Sequence, residues 1–397
     1  MIFLYLLPGY LLVNFYIAAR ILHWLSALLG KPCNKAVCCA VYAVWFLCAF
    51  SPVTAFLLPK TGAALFVRRF AAYWMGVLLY TAGIILLADG IRLLARVTPL
   101  KGTALFSRAG AVTVGAAVFV STAGLCFYGC YHARQIKTTY YNVSVNKSGG
   151  TLENLKIVLI ADTHMGSAIG RDHIGQTVEK INACEPDIVI FAGDIFDNSV
   201  EMLDYPDEIA ALFKSIRTKY GVWATYGNHD IDEKILMGFT FSHKDSPPND
   251  SRMREFCEKA GIKLLCDEST LIDGSFYLVG RRDRAKPGSA DGTRLTPAEL
   301  TEGLDKSKPV IFIAHEPDEL EETAAAGADL DLSGHTHDGQ LFPLTVITDI
   351  IWENPCGLLE KNGMTSIVTS GVGVFGPFMR LGSDAEICEI DIHFTAG

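Results

Sequence analysis

Four apolar runs fill the first 130 residues: Ile2–Ala19, Ala36–Leu58, Phe70–Ala88 and Ala109–Cys130. At about 1.5 Å of helical rise per residue, each approaches the roughly 30 Å hydrocarbon core of a bilayer. A chain that begins this way is committed to a multi-span α-helical membrane domain over residues 1–130, with about four transmembrane helices. Charge divides at nearly the same place. Residues 1–149 carry 13 of the 34 Lys and Arg but one of the 43 acidic residues, Asp89. The whole chain is −9, so the remainder is strongly acidic. A basic apolar part followed by an acidic polar part reads as a membrane segment joined to a globular domain. The acidic part disfavours nucleic acid as a partner, because its phosphates would be repelled. A lipid bilayer is the partner expected of the first part.

No basic residue precedes the first run and no clear cleavage site follows it, which is unlike a secretory signal. Pro8, Gly9 and Asn14 interrupt it, so a re-entrant or interfacial piece stands beside a span as its reading. Trp24, Trp45, Tyr73 and Trp74 suit interfacial anchors and ordinary helix packing equally. Asp89 reads as the i,i+3 ion-pair partner of Arg92. Connections one and three hold seven Lys and Arg; the second connection and the stretch after the fourth run hold six. That margin places the first set in the cytoplasm and the C-terminal part in an extracytoplasmic position. The 11 cysteines form no CxxC pair or other zinc-ligand spacing.

Residues 131–154 connect the two parts. Tyr140–Val145 alternates like a strand, and residues 146–150 turn the chain. From residue 155 to 397 an alternation sets in of apolar strand, polar cluster and amphipathic helix. Strands are expected at Lys156–Ile160, Asp187–Ala192, Gly221–Tyr226, Lys308–Ala314, Asp329–Leu332, Thr365–Ser370 and Glu386–Phe394. Helices are expected at Asp172–Cys184, Asp207–Ile216 and Met253–Ala260, where apolar residues recur every three or four positions. The fold class is α/β. Residues 231–250, with Pro247 and Pro248, read as a surface loop near a site.

Polar clusters follow five of the strand-like runs: Asp162/His164, Asp194/Asp197, Asn228/His229, His315 and His335/His337. Open α/β sheets place ligand sites just past their strands. Carboxylate and imidazole donors without thiolate suit Mn²⁺, Fe or Zn²⁺. Asn228 adds a neutral carbonyl oxygen, which suits a site that must still attract an anion. Glycines before Asp194, Asn228 and His335 permit tight turns or close backbone approach.

The ordered set Asp162-x-His164, Gly193-Asp194-x-x-Asp197, Gly227-Asn228-His229-Asp230, His315 and Gly334-His335-x-His337 resembles the calcineurin-like metallophosphoesterases. The tail Ser370-Gly371-Val372-Gly373, Arg380-Leu381-Gly382 and Glu386-Ile387 is similar to their membrane-associated branch. The resemblance covers about residues 155–394 and implies a four-layer α/β/β/α sandwich. It implies one metal on Asp162, His164, Asp194 and His337, and a second on Asp194, Asn228, His315 and His335. Mn²⁺ leads among the two divalent ions implied, with Fe and Zn²⁺ as alternatives. Hydrolysis of a phosphomonoester, phosphodiester or pyrophosphate bond by a metal-bridging hydroxide is the implied reaction. His229 would face the leaving group, Asp230 would orient His229 or cap the following turn, and Asp197 would support the ligands. A lipid-linked substrate is one option, of the kind cleaved by a UDP-diacylglucosamine pyrophosphatase. A non-catalytic membrane sensor or scaffold binding a phosphorylated ligand is the reading from another class. Arg281, Arg282 and Arg380 suit phosphate contacts, and at least two of them are expected to be solvated charge. His173, His243 and His393 are expected to be ordinary surface or core histidines.

Overall fold

Long apolar stretches with a single acidic residue can satisfy their backbone only as helices in a hydrocarbon environment. The computed structural model describes the chain except residues 1, 60, 61, 63, 234, 237, 238, 241–248, 290, 396 and 397. It divides into two compact units, residues 1–130 with 235–239, and residues 131–234 with 240–397.

The first unit contains α1 (Ile2–Leu29), α2 (Lys35–Ala49), α3 (Ser51–Leu57), α4 (Ala64–Ala95) and most of α5 (Arg108–His132). Three of these, α1, α4 and α5, are long and apolar enough to cross a membrane. The α2–α3 pair, bent by 43°, brings the number to four if it counts as one span. Pro8 does not break α1. Asn14 is buried there, donating to the Tyr10 carbonyl and accepting from the Trp45 indole at 2.9 Å. Trp45 meets buried Trp74 edge-on at 4.8 Å, so both are packing residues. Asp89 does not pair with Arg92. Its carboxylate takes Arg20 of α1 at 2.6 Å and the Tyr16 hydroxyl, while Arg92 lies over the Phe106 ring. A charge on an apolar helix gains more from donors on a packed neighbour than from one on its own surface.

The second unit is built on two six-stranded sheets. The first runs β1 (Ile136–Val145), β14 (Ala385–Phe394), β2 (Asn154–Ile160), β3 (Ile188–Ala192), β4 (Val222–Thr225) and β7 (Ile262–Leu264). The second runs β12 (Gly357–Lys361), β13 (Met364–Val368), β11 (Leu330–Ser333), β10 (Val310–Ile313), β9 (Phe276–Gly280) and β8 (Glu268–Ile272). Two-residue strands β5 (Ile235–Leu236) and β6 (Phe239–Thr240) pair separately. The expected loop at 231–250 falls largely on residues outside those described.

Period-two alternation gives each central strand two apolar faces. Ile157, Leu159, Ile188 and Ile190 meet Leu278, Ile311, Ile313, Leu330, Leu332 and Ile367 between the sheets. On the outer face of the first sheet lie α6 (Arg171–Ala183), α7 (Pro206–Lys214) and α8 (Ser251–Ala260). There Phe191 packs edge-on to Phe213, 5.4 Å between ring centres. Outside the second sheet, Leu300 of α9 (Pro297–Leu300) and Leu320 of α10 (Leu320–Ala325) cover Val279, Val310 and Phe312. The result is the four-layer α/β/β/α sandwich. Beyond these lies α11 (Leu344–Ile351), which the sequence periodicity did not single out.

Asp331 is buried within this core, accepting from the hydroxyls of Ser333 and Ser366 at 3.2 and 3.3 Å. Burial pushes its carboxyl up to about 7. The folded chain therefore keeps a proton that the unfolded chain releases near pH 4. Stability from this group is greatest in acid and falls as pH rises from about 4 to 7. Asp331→Asn should remove that loss. Thermal melting of the full chain should show a gain of roughly 5 °C at pH 8 and a smaller one at pH 5.

Candidate metal centre

Five parallel strands from both sheets end at one rim, and each delivers polar side chains there. β2 leads to Asp162 and His164, β3 to Asp194, β4 to Asn228 and His229, β10 to His315, and β11 to His335 and His337. The loops stay tied together after the strands end: the amides of Asp162 and His164 donate to the carbonyls of Gly193 and Asp194. Asp162, His164, Asp194, His335 and His337 all adopt positive φ, between 41° and 71°. Such non-glycine conformations cost on the order of 1–3 kcal/mol each and cluster at functional sites. Two glycines make the approach possible. A Cβ on Gly227 would lie 2.2 Å from Asp194 Oδ1, and one on Gly334 would lie 2.6 Å from Asp162 Oδ2.

The donors form two adjacent groups. In one, His164 Nε2 and His337 Nε2 are 3.1 Å apart, and His337 Nε2 is 3.5 Å from Asp162 Oδ1. In the other, His315 Nε2 is 3.1 Å from both Asn228 Oδ1 and His335 Nδ1, and His335 Nδ1 is 3.0 Å from Asn228 Oδ1. Asp194 Oδ2 lies between the groups, 3.6 Å from His164 Nε2 and 3.1 Å from His315 Nε2. With metal–ligand bonds of about 2.0–2.2 Å, neighbouring donors on one ion stand roughly 3.0–3.5 Å apart. The observed spacings fit that range. His315 Nδ1 donates to the Ala192 carbonyl at 2.9 Å, which leaves Nε2 as the ligand atom. The Nδ1 atoms of His164 and His337 are buried with no hydrogen-bond partner in the protein.

Charge balance points the same way. Burial, the largest influence on each, pushes the imidazoles of His164, His229 and His335 down to about 4, 3 and 3. Burial also pushes Asp162 up to about 7. Burial works against ionisation of Asp194 as well, but the charge of His315 outweighs it and holds this carboxyl well below its usual range. His315 differs from the other three: burial opposes its charge, but the facing carboxylates of Asp194 and Asp162 push its imidazole up, so a cation bound here would displace its proton.

His229 stands beside the groups. Its amide donates to Asp194 Oδ1 at 2.7 Å, its ring packs 4.5 Å from Phe375, and its Nδ1 is 2.6 Å from Asn198 Oδ1. The Asn198 side-chain amide donates to the Ile231 carbonyl, which turns Oδ1 towards the ring. Asn198 and Phe375 were missed in the sequence, since neither belongs to a cluster of ligand-type residues. Buried Asp230 accepts from the amides of Phe196 and Gly227 and so ties two site loops together. Asp197 lies within 4.8 Å of His164 and His229 through its carboxylate. Glu316 Oε1 is 3.9 Å from His335 Nε2.

The arginines are not solvated charge. Arg380 is fully buried and donates to the carbonyls of His337, Ser370, Gly371 and Gly373 and to the Ser383 hydroxyl. Arg281 pairs with Glu319 at 2.6 Å, and Arg282 donates to the Pro287 carbonyl. Of the other histidines, His173 is buried on the Val372 carbonyl and His393 is bonded to Asn154. His243 lies outside the described residues.

A two-sheet sandwich with paired His/Asp groups on one rim defines a class, and comparison with known proteins defines it further. The calcineurin-like phosphoesterase pattern matches residues 155–339. A transmembrane protein with metallophosphoesterase domain from Danio rerio is 30% identical over 68% of this chain and 61% of its own length. An uncharacterized metallophosphoesterase of Aquifex aeolicus is 30% identical over 60% of this chain and 85% of its own length. The uncharacterized metallophosphoesterase YkuE of Bacillus subtilis is 26% identical over 75% of this chain. The chain belongs to the calcineurin-like phosphoesterase family. It spans about three fifths of the length of the Danio rerio and Bos taurus relatives.

The position of Asp194 separates its role from that of its neighbours. Asp194→Ala should remove nearly all bound metal, whereas Asp162→Ala should leave about one ion per chain. Asp197→Ala should keep more than half. Elemental analysis of full chain equilibrated with Mn²⁺ and desalted gives the ratios.

Proposed function

We propose that the protein is a membrane-anchored, two-metal-dependent phosphoesterase. The observation that supports this best is Asp194 Oδ2 standing between two sets of imidazole and oxygen donors. In this reading Asp162, His164, Asp194 and His337 hold one divalent ion, and Asp194, Asn228, His315 and His335 hold the other. Mn²⁺ is the leading candidate, and Fe or Zn²⁺ satisfies the same donors. When bound, such a pair lowers the pKa of a water and neutralises charge on phosphoryl oxygens.

The chain's own groups do the rest. The Asn198 carbonyl fixes the His229 proton on Nδ1, so Nε2 is the nitrogen open to a substrate. A neutral Nε2 accepts a proton; once protonated, it donates to a phosphoryl or leaving-group oxygen. The phosphoester's negative charge favours that protonation, which lifts the ring from its depressed resting state. Phe375, packed on His229 and 5.5 Å from His164, shields this face from water. Asp230 acts at one remove, through the two amides it holds.

The 397-residue chain with Mn²⁺ should hydrolyse aryl phosphomonoesters or phosphodiesters. Asp194→Asn and His229→Ala should abolish this. Asn198→Ala should lower kcat about ten-fold or more with a smaller change in KM. Metal-loaded protein inert towards every phosphoester would favour the sensor or scaffold reading instead. The apolar helices α1, α4 and α5 support anchoring in a cell membrane, and the lysine and arginine distribution supports an extracytoplasmic catalytic unit. A periplasm-active reporter fused after Gly397 should therefore give signal. Signal from a cytoplasmic reporter alone would overturn that orientation.

A further inference from the structure

Helix α11 contradicts the polar character of the unit that carries it. Twelve large apolar residues from 131 onwards are exposed among those described, and six of them fall within 342–351. These are Phe342, Leu344, Val346, Ile347, Ile350 and Ile351, with Ile350 79% and Ile351 67% exposed. No residue of α11 is buried. A short helix that presents this many apolar side chains to water would be a liability in a soluble domain.

Two sets of contacts say what covers it. Thr345 packs on Gly382, where a Cβ would lie 3.1 Å from Thr345 Cγ2. Two residues on, Asp384 accepts from His132 at 2.8 Å and Lys137 at 2.6 Å. His132 is the last residue of α5, a helix apolar and long enough to cross a membrane. The base of α11 and His132 are therefore both held by the Gly382–Asp384 segment. Both ends of the segment reach the metal-ligand groups: Trp352 meets the His335 ring edge-on at 5.3 Å, and Gly339, two residues past His337, is packed against Thr345.

We propose that α11 docks into the lipid bilayer, with Phe342, Ile347, Ile350 and Ile351 among the acyl chains and Trp352 at the level of the headgroups. Lipid is the occupant because the segment shares the Gly382–Asp384 stretch with His132, the last residue of a helix apolar and long enough to cross a membrane, and offers no basic residue between 340 and 356 for an acidic partner. Apolar residues on one short amphipathic element, with a tryptophan at its boundary, match the interfacial mode of binding. The docking rests on the anchoring reading of the N-terminal helices. It sets the candidate metal centre at headgroup depth, where a phosphoester carried by a lipid would present its phosphate.

The test uses the 397-residue chain in phosphatidylcholine nanodiscs. p-Benzoylphenylalanine placed at Ile350 should give a lipid adduct on illumination, read as a mass increase; the same group at Tyr205, also exposed, should give at least ten-fold less. The unsubstituted chain supplies a second reading. Hydroxyl-radical oxidation of Ile350 and Ile351 should fall several-fold below that of Leu271 and Leu295, which are only 42% and 40% exposed. Equal lipid adducts at both positions, no adduct at Ile350, or oxidation of Ile350 and Ile351 at or above the two leucines would overturn the proposal. Neither readout needs turnover. Lipid docking without hydrolysis of any phosphoester would count against the enzymatic reading and leave this one intact.

Discussion

The carboxylate of Asp194 stands between the two groups of donors on the rim. One oxygen accepts from the His229 amide, and the other lies within reach of His164 and His315. A buried anion of this kind is tolerable only when cations or oriented donors face it. Much of the neighbouring backbone serves that requirement. Gly227 leaves room against Oδ1, Asp194 itself takes φ 51°, and the amides of Asp162 and His164 bind the carbonyls of Gly193 and Asp194. The two sheets can offer their strand ends to one point because a continuous apolar layer holds them face to face. Without that layer, the ligands from β2, β3 and β4 would have no fixed relation to those from β10 and β11.

Much of this was legible in the sequence. Strands buried on both faces read as unbroken apolar runs, and each central run led directly into ligand-type residues. Lys156–Ile160, Asp187–Ala192 and Lys308–Ala314 were found within a few residues for that reason. The candidate ligands were legible too, since carboxylates and imidazoles after strands have a small set of uses. What escaped were contacts that depend on a third dimension. Asn198 carries no local signal, yet it is the group on His229 Nδ1. Arg380 looked like surface charge or a phosphate contact, but its guanidinium stitches four carbonyls of the rim loops. Helix α11 spans eight residues, too few for periodicity to distinguish it from a strand.

The membrane-type unit shows the same limit from the opposite side. Its helices were obvious from composition, but their polar partners were not. Asp89 has a basic residue three positions away on its own helix, and still takes Arg20 and Tyr16 from another. Asn14, which looked like a weakness in the first run, accepts from Trp45 and so fixes α1 against α2. Polar residues in apolar helices are legible as exceptions, while the helix that answers them is set by packing.

Three residues, Ala133 to Gln135, separate the end of α5 from the start of β1. An extended link of that length reaches about 11 Å at most. For a helix that crosses a bilayer, such a leash removes the freedom that long flexible linkers give to tethered enzymes. Under the anchoring proposed above, what the metal centre meets is governed by the number of molecules per area of surface, and its encounters become a search in two dimensions.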